Sequence, residues 1–211
     1  MTARVFSDLP EIRRLPRLGP AAPVVYGAVE KGEGAREFLT GRLLKALAQE
    51  APEWAEALGW GALELATGPL GQSLLKLGDR LGPSLSFSEA GSLVWAAMAG
   101  AGRVGVDAAR EADFKSPYPY SRAFGREEWD WAWRYCQGRT ASAAALLWAA
   151  KEAAVKALGV GLHTLDPLDL EVAKGSPAWE GISLTVITPE QVRAWARPLA
   201  NGWLALAGVR E

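Results

Sequence analysis

Among 24 acidic and 23 basic residues, Asp107 at the end of a strand-like run and Lys151, Glu152 and Lys156 on one helical run are candidates for acid–base, metal or phosphate chemistry. The chain has one histidine, His163, and one cysteine, Cys136. That excludes an internal disulfide framework and the usual clustered zinc sites. Any metal chemistry must therefore rest on carboxylates, which suits magnesium. Glu152 and Lys156 are spaced i,i+4 in a helical pattern, which on its own reads as a solvated ion pair worth about 0.3 kcal/mol. Asp107 alone is as ambiguous, an acid ending a strand-like run. His163 has no G-x-S-x-G serine to join in a triad, so a structural or surface role is expected. Gly100, Gly102 and Gly105 have the spacing of a dinucleotide fingerprint. The run 104–107 is strand-like where a fingerprint would require a helix, so a hairpin turn is expected.

These residues need elements to position them, and the pattern of apolar residues supplies candidates. Strands are expected at 22–29 and 62–66, then at 84–88, 93–99 and 103–108 as a meander. Further strands are expected at 168–173, 182–187 and 203–209. A helix is expected at 35–49, with Phe38, Leu39, Leu43, Ala46 and Leu47 on its apolar stripe. Others are expected at 126–137 and, most strongly, at the Ala-rich 141–158, stopped by Gly159 and Gly161. A short helix at 189–196 would begin with a proline suited to a first turn. The segment 52–61 reads as a short helix or loop, and the glycine-rich 68–82 as mostly loop. Pro117 and Pro119 keep 114–124 from forming a regular helix.

With 211 residues, the chain makes one large domain or two small lobes. Apolar residues at 49% and charged residues at 22% are those of an ordinary globular chain. A net charge of −1 gives no basic field for nucleic acid. The 90–102 run is too short to span a bilayer, and Asp8, Glu11, Arg13 and Arg14 interrupt any signal core. No membrane association is expected, and the lone thiol fits a reducing cytoplasm. Ten tryptophans are unusual and are expected mainly as bulk in the core or between lobes.

Read in order, five segments have a joint meaning. They are Gly68-Pro69-Leu70-Gly71-Gln72-Ser73, Ser84-Leu85-Ser86-Phe87-Ser88, Gly105-Val106-Asp107, Phe124 with Glu127 or Glu128, and Trp148-Ala-Ala-Lys151-Glu152-Ala153-Ala-Val-Lys156. This order resembles the 4′-phosphopantetheinyl transferase superfamily, in particular its monomeric two-lobed, surfactin-synthetase-activating type. The family pattern is G-K-P, S-L-S-H-S, G-[VI]-D-x-E and W-x-x-K-E-A-x-x-K, and the last of these is matched completely. The resemblance implies an α+β fold of two similar lobes about a pseudo-twofold axis, here 1–103 and 104–211, with the metal site in the second. It implies transfer of 4′-phosphopantetheine from coenzyme A to a serine of an acyl or peptidyl carrier protein. By the resemblance, Asp107 and Glu152 hold magnesium, and Glu152 takes the serine proton directly or through water. Lys156 and Lys151 approach the coenzyme, together with Gln72, Ser86 and Phe87. The basic Arg36, Arg42 or Lys45 would meet the 3′-phosphate. The carrier helix would dock on 115–124, whose Lys115 and Arg122 flank Tyr118 and Tyr120. A loop packed by its own aromatics is the equal reading of that segment.

The sequence departs from the pattern within the site. The second acid is Ala109, the lysine of G-K-P is Gln72 followed by Ser73, and the histidine is Phe87. Each lost phosphate contact would have been worth about 1.5–3 kcal/mol. The alternative is therefore a non-catalytic descendant that binds a carrier protein or nucleotide without transfer.

Overall fold

The stretches Leu93–Ala99 and Gly202–Val209 bury almost every side chain, so each of these strands must be covered on both faces. The computed structural model describes residues 11–15, 18–19, 21–59, 61–160 and 164–210. In chain order the elements are β1 (Arg13–Leu15), β2 (Val24–Glu30), α1 (Ala35–Glu50), α2 (Glu53–Ala57), β3 (Leu63–Thr67), β4 (Ser73–Leu77) and β5 (Arg80–Leu81). Next come β6 (Ser84–Ala90), β7 (Leu93–Ala99), β8 (Arg103–Arg110), α3 (Arg126–Tyr135) and α4 (Thr140–Leu158). The chain closes with β9 (Glu171–Ala178), β10 (Gly181–Ile187), β11 (Gln191–Leu199) and β12 (Gly202–Val209). This is a mixed α+β fold with three antiparallel sheets, ordered β1-β2-β7-β6, β8-β12-β11-β10-β9 and β3-β4-β5.

Side-chain alternation sets the layers. On the first sheet, Val25, Ala96 and Met98 pack on Leu39, Leu43 and Leu47 of α1. The other face of the same strands, Val24, Tyr26, Trp95 and Ala97, meets Val106, Ala108, Trp195, Leu204 and Leu206 of the second sheet. The far face of that sheet, with Ala109, Ala194, Ala205 and Ala207, is covered by α4. The order is helix, sheet, sheet, helix. Trp95 and Trp195 fill the space between the sheets. Trp203 donates to Ser142 Oγ at 3.1 Å and Trp131 to Val172 O at 2.9 Å. Trp133 and Trp179 are exposed. No helix among the described residues is long and apolar enough to cross a membrane.

The Ala-rich composition of α4 lets it lie very close to β8. A Cβ on Gly105 would stand 1.9 Å from Ala153 O and 2.6 Å from Ala157 N, both backbone atoms of the helix. Gly159, in the left-handed region at φ 76°, ends the helix. Gly105→Ala is therefore expected to push α4 off the sheet, at a cost of about 1–3 kcal/mol or more. Thermal unfolding of the variant measures this.

The structure corrects several expectations from the sequence. The segment 189–196 is the start of strand β11, whose Gln191 and Arg193 are exposed while Val192 and Ala194 are buried. The segment 68–82 holds β4 and β5, its Gly71 and Gly78 serving as turn positions at φ 83° and 59°. β6, β7 and β8 are not one meander, because β7 pairs with β2 and β6 while β8 pairs with β12. β1 is a strand outside the expected set. The glycine turn at 100–102 does connect β7 to β8, with Gly102 at φ 68°.

Candidate active site at the junction of the two sheets

β6 and β8 are the facing edges of the first two sheets, and serine side chains join them. Residues 84, 86 and 88 share one side of β6 because strand side chains alternate. Ser84 Oγ accepts from Val104 N at 3.0 Å, Ser86 Oγ from Val106 N at 3.1 Å and Ser88 Oγ from Ala108 N at 3.1 Å. Alternate edge N–H groups of β8, which would otherwise be buried and unpaired, are thus satisfied without backbone pairing. Ser86, expected among the coenzyme contacts, is placed in this buried ladder.

Asp107 is the next residue on β8 and faces α4. Its Oδ1 accepts from Ser88 Oγ at 2.8 Å and from Lys156 Nζ at 2.7 Å. Lys156 Nζ also donates to Val106 O at 3.2 Å. The i,i+4 neighbour Glu152 stands close enough to Asp107 to feel its charge. The helical ion pair that the spacing alone suggests is replaced by a pair between helix and strand, with the Asp107 side chain 10% and that of Lys156 28% exposed. Among the described residues no group hydrogen-bonds to the Glu152 carboxylate. Burial pushes that carboxyl above the ordinary range, Asp107 pushes it further, and Lys156 pulls the other way. Asp107, Glu152 and Lys156 are therefore brought together.

Because folding raises the Glu152 carboxyl, the charged form is disfavoured in the fold. The penalty is complete above the folded value and vanishes as pH falls below the unfolded value of 4.5. Glu152→Gln should consequently raise stability at neutral pH, by about 0.5–2 kcal/mol, as sites traded for function often do. Melting curves from pH 8 to pH 4 should show the gain over wild type closing in acid.

Lys151 points elsewhere. It is fully buried, and its ammonium donates to Ala123 O at 2.9 Å, Pro167 O at 2.7 Å and Glu128 Oε1 at 2.5 Å. All three protons are taken, leaving none for a ligand. Burial pulls the Lys151 ammonium down, and Glu128 raises it in part. Glu128 also accepts from Gly125 N at 2.8 Å, at the start of α3, and from Val172 N at 2.7 Å. This ion pair ties α4 to α3, β9 and two loops.

The remaining expected contacts lie on the first sheet and its connections. The Gln72 carboxamide accepts from Leu70 N at 3.0 Å, within its own turn. Phe87 is partly buried, with the Arg36 guanidinium 5.3 Å from its ring centre. Arg36 and Lys31 both pair with Glu89, at 2.8 and 2.9 Å. Arg42 and Lys45 lie on α1 and have no partner among the described residues. Ala109 is buried against α4. Cys136 is a free, buried thiol, pushed up by burial. His163, Gly161 and Leu162 lie outside the described residues. Sequence reasoning missed Ser88 as the partner of Asp107. The alternation of serines at 84, 86 and 88 was the available signal.

The segment 115–124 packs by its own aromatics. Tyr118 lies edge-on to Phe114 at 5.0 Å and stacks on Phe124 at 6.4 Å, while Phe124 stacks on Trp129 at 5.6 Å. Tyr120 Oη donates to Phe114 O. The segment also borders a cavity of about 450 Å³, lined by Tyr120, Phe124, Trp129, Arg126 and Leu168 among others.

No cluster of three or more acidic, histidine or cysteine side chains suited to a metal exists among the described residues. Two carboxylates, Asp107 and Glu152, are near enough to interact electrostatically. Magnesium typically binds through one or two carboxylates plus substrate phosphates and keeps several waters. A carboxylate pair half out of water, one member without a protein hydrogen bond, fits that donor set.

The fold and this site describe an α+β protein with a carboxylate pair and a lysine between a sheet edge and a buried helix. The model of the 4′-phosphopantetheinyl transferase superfamily matches residues 103–204, which hold β8, α3, α4 and the whole of that cluster. That segment is similar to this superfamily of transferases. No curated protein matches the chain.

Proposed function

We propose that this protein transfers 4′-phosphopantetheine from coenzyme A to a serine hydroxyl of an acyl or peptidyl carrier protein, with magnesium. The observation that carries the reading is the convergence of Asp107, Glu152 and Lys156, from two separate elements, inside the segment that matches the superfamily. Asp107 and Glu152 would hold the metal, whose chemistry is to neutralise charge developing on the pyrophosphate. Glu152, a carboxyl made more basic by its surroundings, takes the serine proton. The serine oxygen then bonds to the β-phosphorus, the bond to the bridging oxygen breaks, and adenosine 3′,5′-bisphosphate leaves. Lys156 has a flexible stem and a partly exposed ammonium, so it can exchange Asp107 for a phosphate.

Topology supports the two-lobed form of the family. β2, α1 and β7 in the first sheet repeat the relation of β8, α4 and β12 in the second: a first strand, a covering helix and a last strand returning beside the first. In this reading the lobes divide near 103, both contribute to the site, and the chain works as a monomer in the cytoplasm. The carrier would dock at the aromatic cavity, where the exposed Lys115, Arg122 and Arg126 suit the acidic surface of a carrier helix.

A second reading, binding without transfer, is favoured by the engagement of Gln72 in its own turn and by the apolar Phe87 and Ala109. Intact mass of an apo carrier protein after incubation with coenzyme A and magnesium separates the two. Gain of one phosphopantetheine group is expected. An unchanged mass across fatty-acid, polyketide and peptide carriers would leave the binding role.

A further inference from the structure

We propose that Ser88 is a positioning residue for Asp107: a hydroxyl from the first sheet fixes the carboxylate that the second sheet supplies. The inference rests on the reading of Asp107 as a magnesium ligand. Of the three ladder serines, Ser84 and Ser86 only accept backbone N–H groups, whereas Ser88 also donates to a carboxylate. The accepting bond settles where its proton goes. With Ala108 N on one lone pair, the hydroxyl rotor is set, and its proton lies toward Asp107 Oδ1 at 2.8 Å.

Lys156 shares that oxygen, but the two partners differ in permanence. Lys156 reaches it on a long stem that is 28% exposed, while Ser88 is a short side chain in a strand and only 7% exposed. When a phosphate draws Lys156 away, Ser88 alone holds the carboxylate in register. Asp107 Oδ2 takes no bond from the described residues and remains the face open to a cation. The cation site is thus complete only when β6 is joined to β8, so docking of the two sheets and assembly of the site are one event.

Ser84→Ala is the matched control, since it removes the same kind of ladder bond without touching Asp107. Magnesium is titrated calorimetrically into wild type, Ser88→Ala, Ser84→Ala and Asp107→Ala, each with saturating coenzyme A and each checked by a thermal melt. The two serine variants should lose similar stability. Ser88→Ala should weaken magnesium binding by roughly 10- to 100-fold, the usual effect of removing a ligand's orienting partner, and Ser84→Ala should leave it near wild type. If Ser88→Ala fails to fold, Ser88→Thr and Ser88→Val, alike in shape and differing in the hydroxyl, give the same comparison, with threonine expected to bind tighter. Equal magnesium affinity in Ser88→Ala and Ser84→Ala, or in the threonine and valine variants, would overturn the proposal while leaving Asp107 a ligand. Wild-type binding that is indifferent to Asp107→Ala would remove the ligand reading itself, and the role of Ser88 with it.

Discussion

Asp107→Ala is expected to abolish the magnesium-dependent tightening of coenzyme A binding and to reduce transfer on the order of 10³-fold. The size comes from charge. A metal at a breaking pyrophosphate supplies several kcal/mol of transition-state stabilisation, and each 1.36 kcal/mol is a factor of about ten in rate. The loss should not come from unfolding. Lys156, released from its 2.7 Å contact, is partly exposed and can turn to water or to Glu152 one turn earlier on α4. Asp107→Asn sharpens the test, because the amide keeps an acceptor for Ser88 and Lys156 while the charge is gone. A melting temperature near wild type with metal dependence lost is the expected pair of results for both variants. Calorimetry with and without magnesium, beside a mass assay of the carrier, measures them, and an unchanged metal response would refute the assignment of Asp107.

The site is legible in the sequence where its signal is local. Helix α4 stands within a residue of its expected start because a long run of small and apolar residues and a terminal glycine all act within one segment, the span over which propensity is informative. Asp107, Glu152 and Lys156 can be read from their motifs for the same reason. What is lost depends on partners far away in the chain. Gln191 to Ala196 come just after a proline that would also suit a first helical turn, yet Val192 and Ala194 face α4 while Trp195 fills the space between sheets. Burial of both faces at 194–196 confines the two-residue period that marks a strand to the few residues from Gln191 to Ala194. Glycines at 71 and 78 look like loop, although each occupies a turn between short strands whose Leu75 and Leu77 are buried under α1. The path of β8 into a different sheet is hidden too. A turn of the form Gly100-Ala101-Gly102 fits a hairpin, but β7 already has β2 and β6 on its two edges. Ser88 and Glu128 belong to the same class of hidden partner. Ser88 meets Asp107, and Glu128 meets Lys151, only through strand register and helix packing.

Lys151→Met should be among the most destabilising substitutions in the chain, at about 3–5 kcal/mol, the cost of breaking a buried ion pair from one side. Methionine fills the aliphatic stem but leaves Glu128, whose side chain is 1% exposed, as a buried carboxylate without its counter-charge. Ala123 O and Pro167 O lose a donor at the same time. Typical domain stability is about 5–15 kcal/mol, so the loss is a large share of the total. Removing the other partner, Glu128→Gln, should also destabilise, by an amount that depends on pH. In Glu128→Gln the lysine keeps the burial that lowers its ammonium and loses the carboxylate that raised it. The folded state then binds fewer protons than the unfolded one, and stability relative to wild type recovers as pH rises. Chemical denaturation of both variants and wild type from about pH 5 to pH 9 tests this linkage. A Glu128→Gln deficit that narrows as pH rises is expected, and a deficit independent of pH with losses below about 1 kcal/mol in both variants, far short of a broken buried pair, would show that the pair does not hold α4 to α3 and β9.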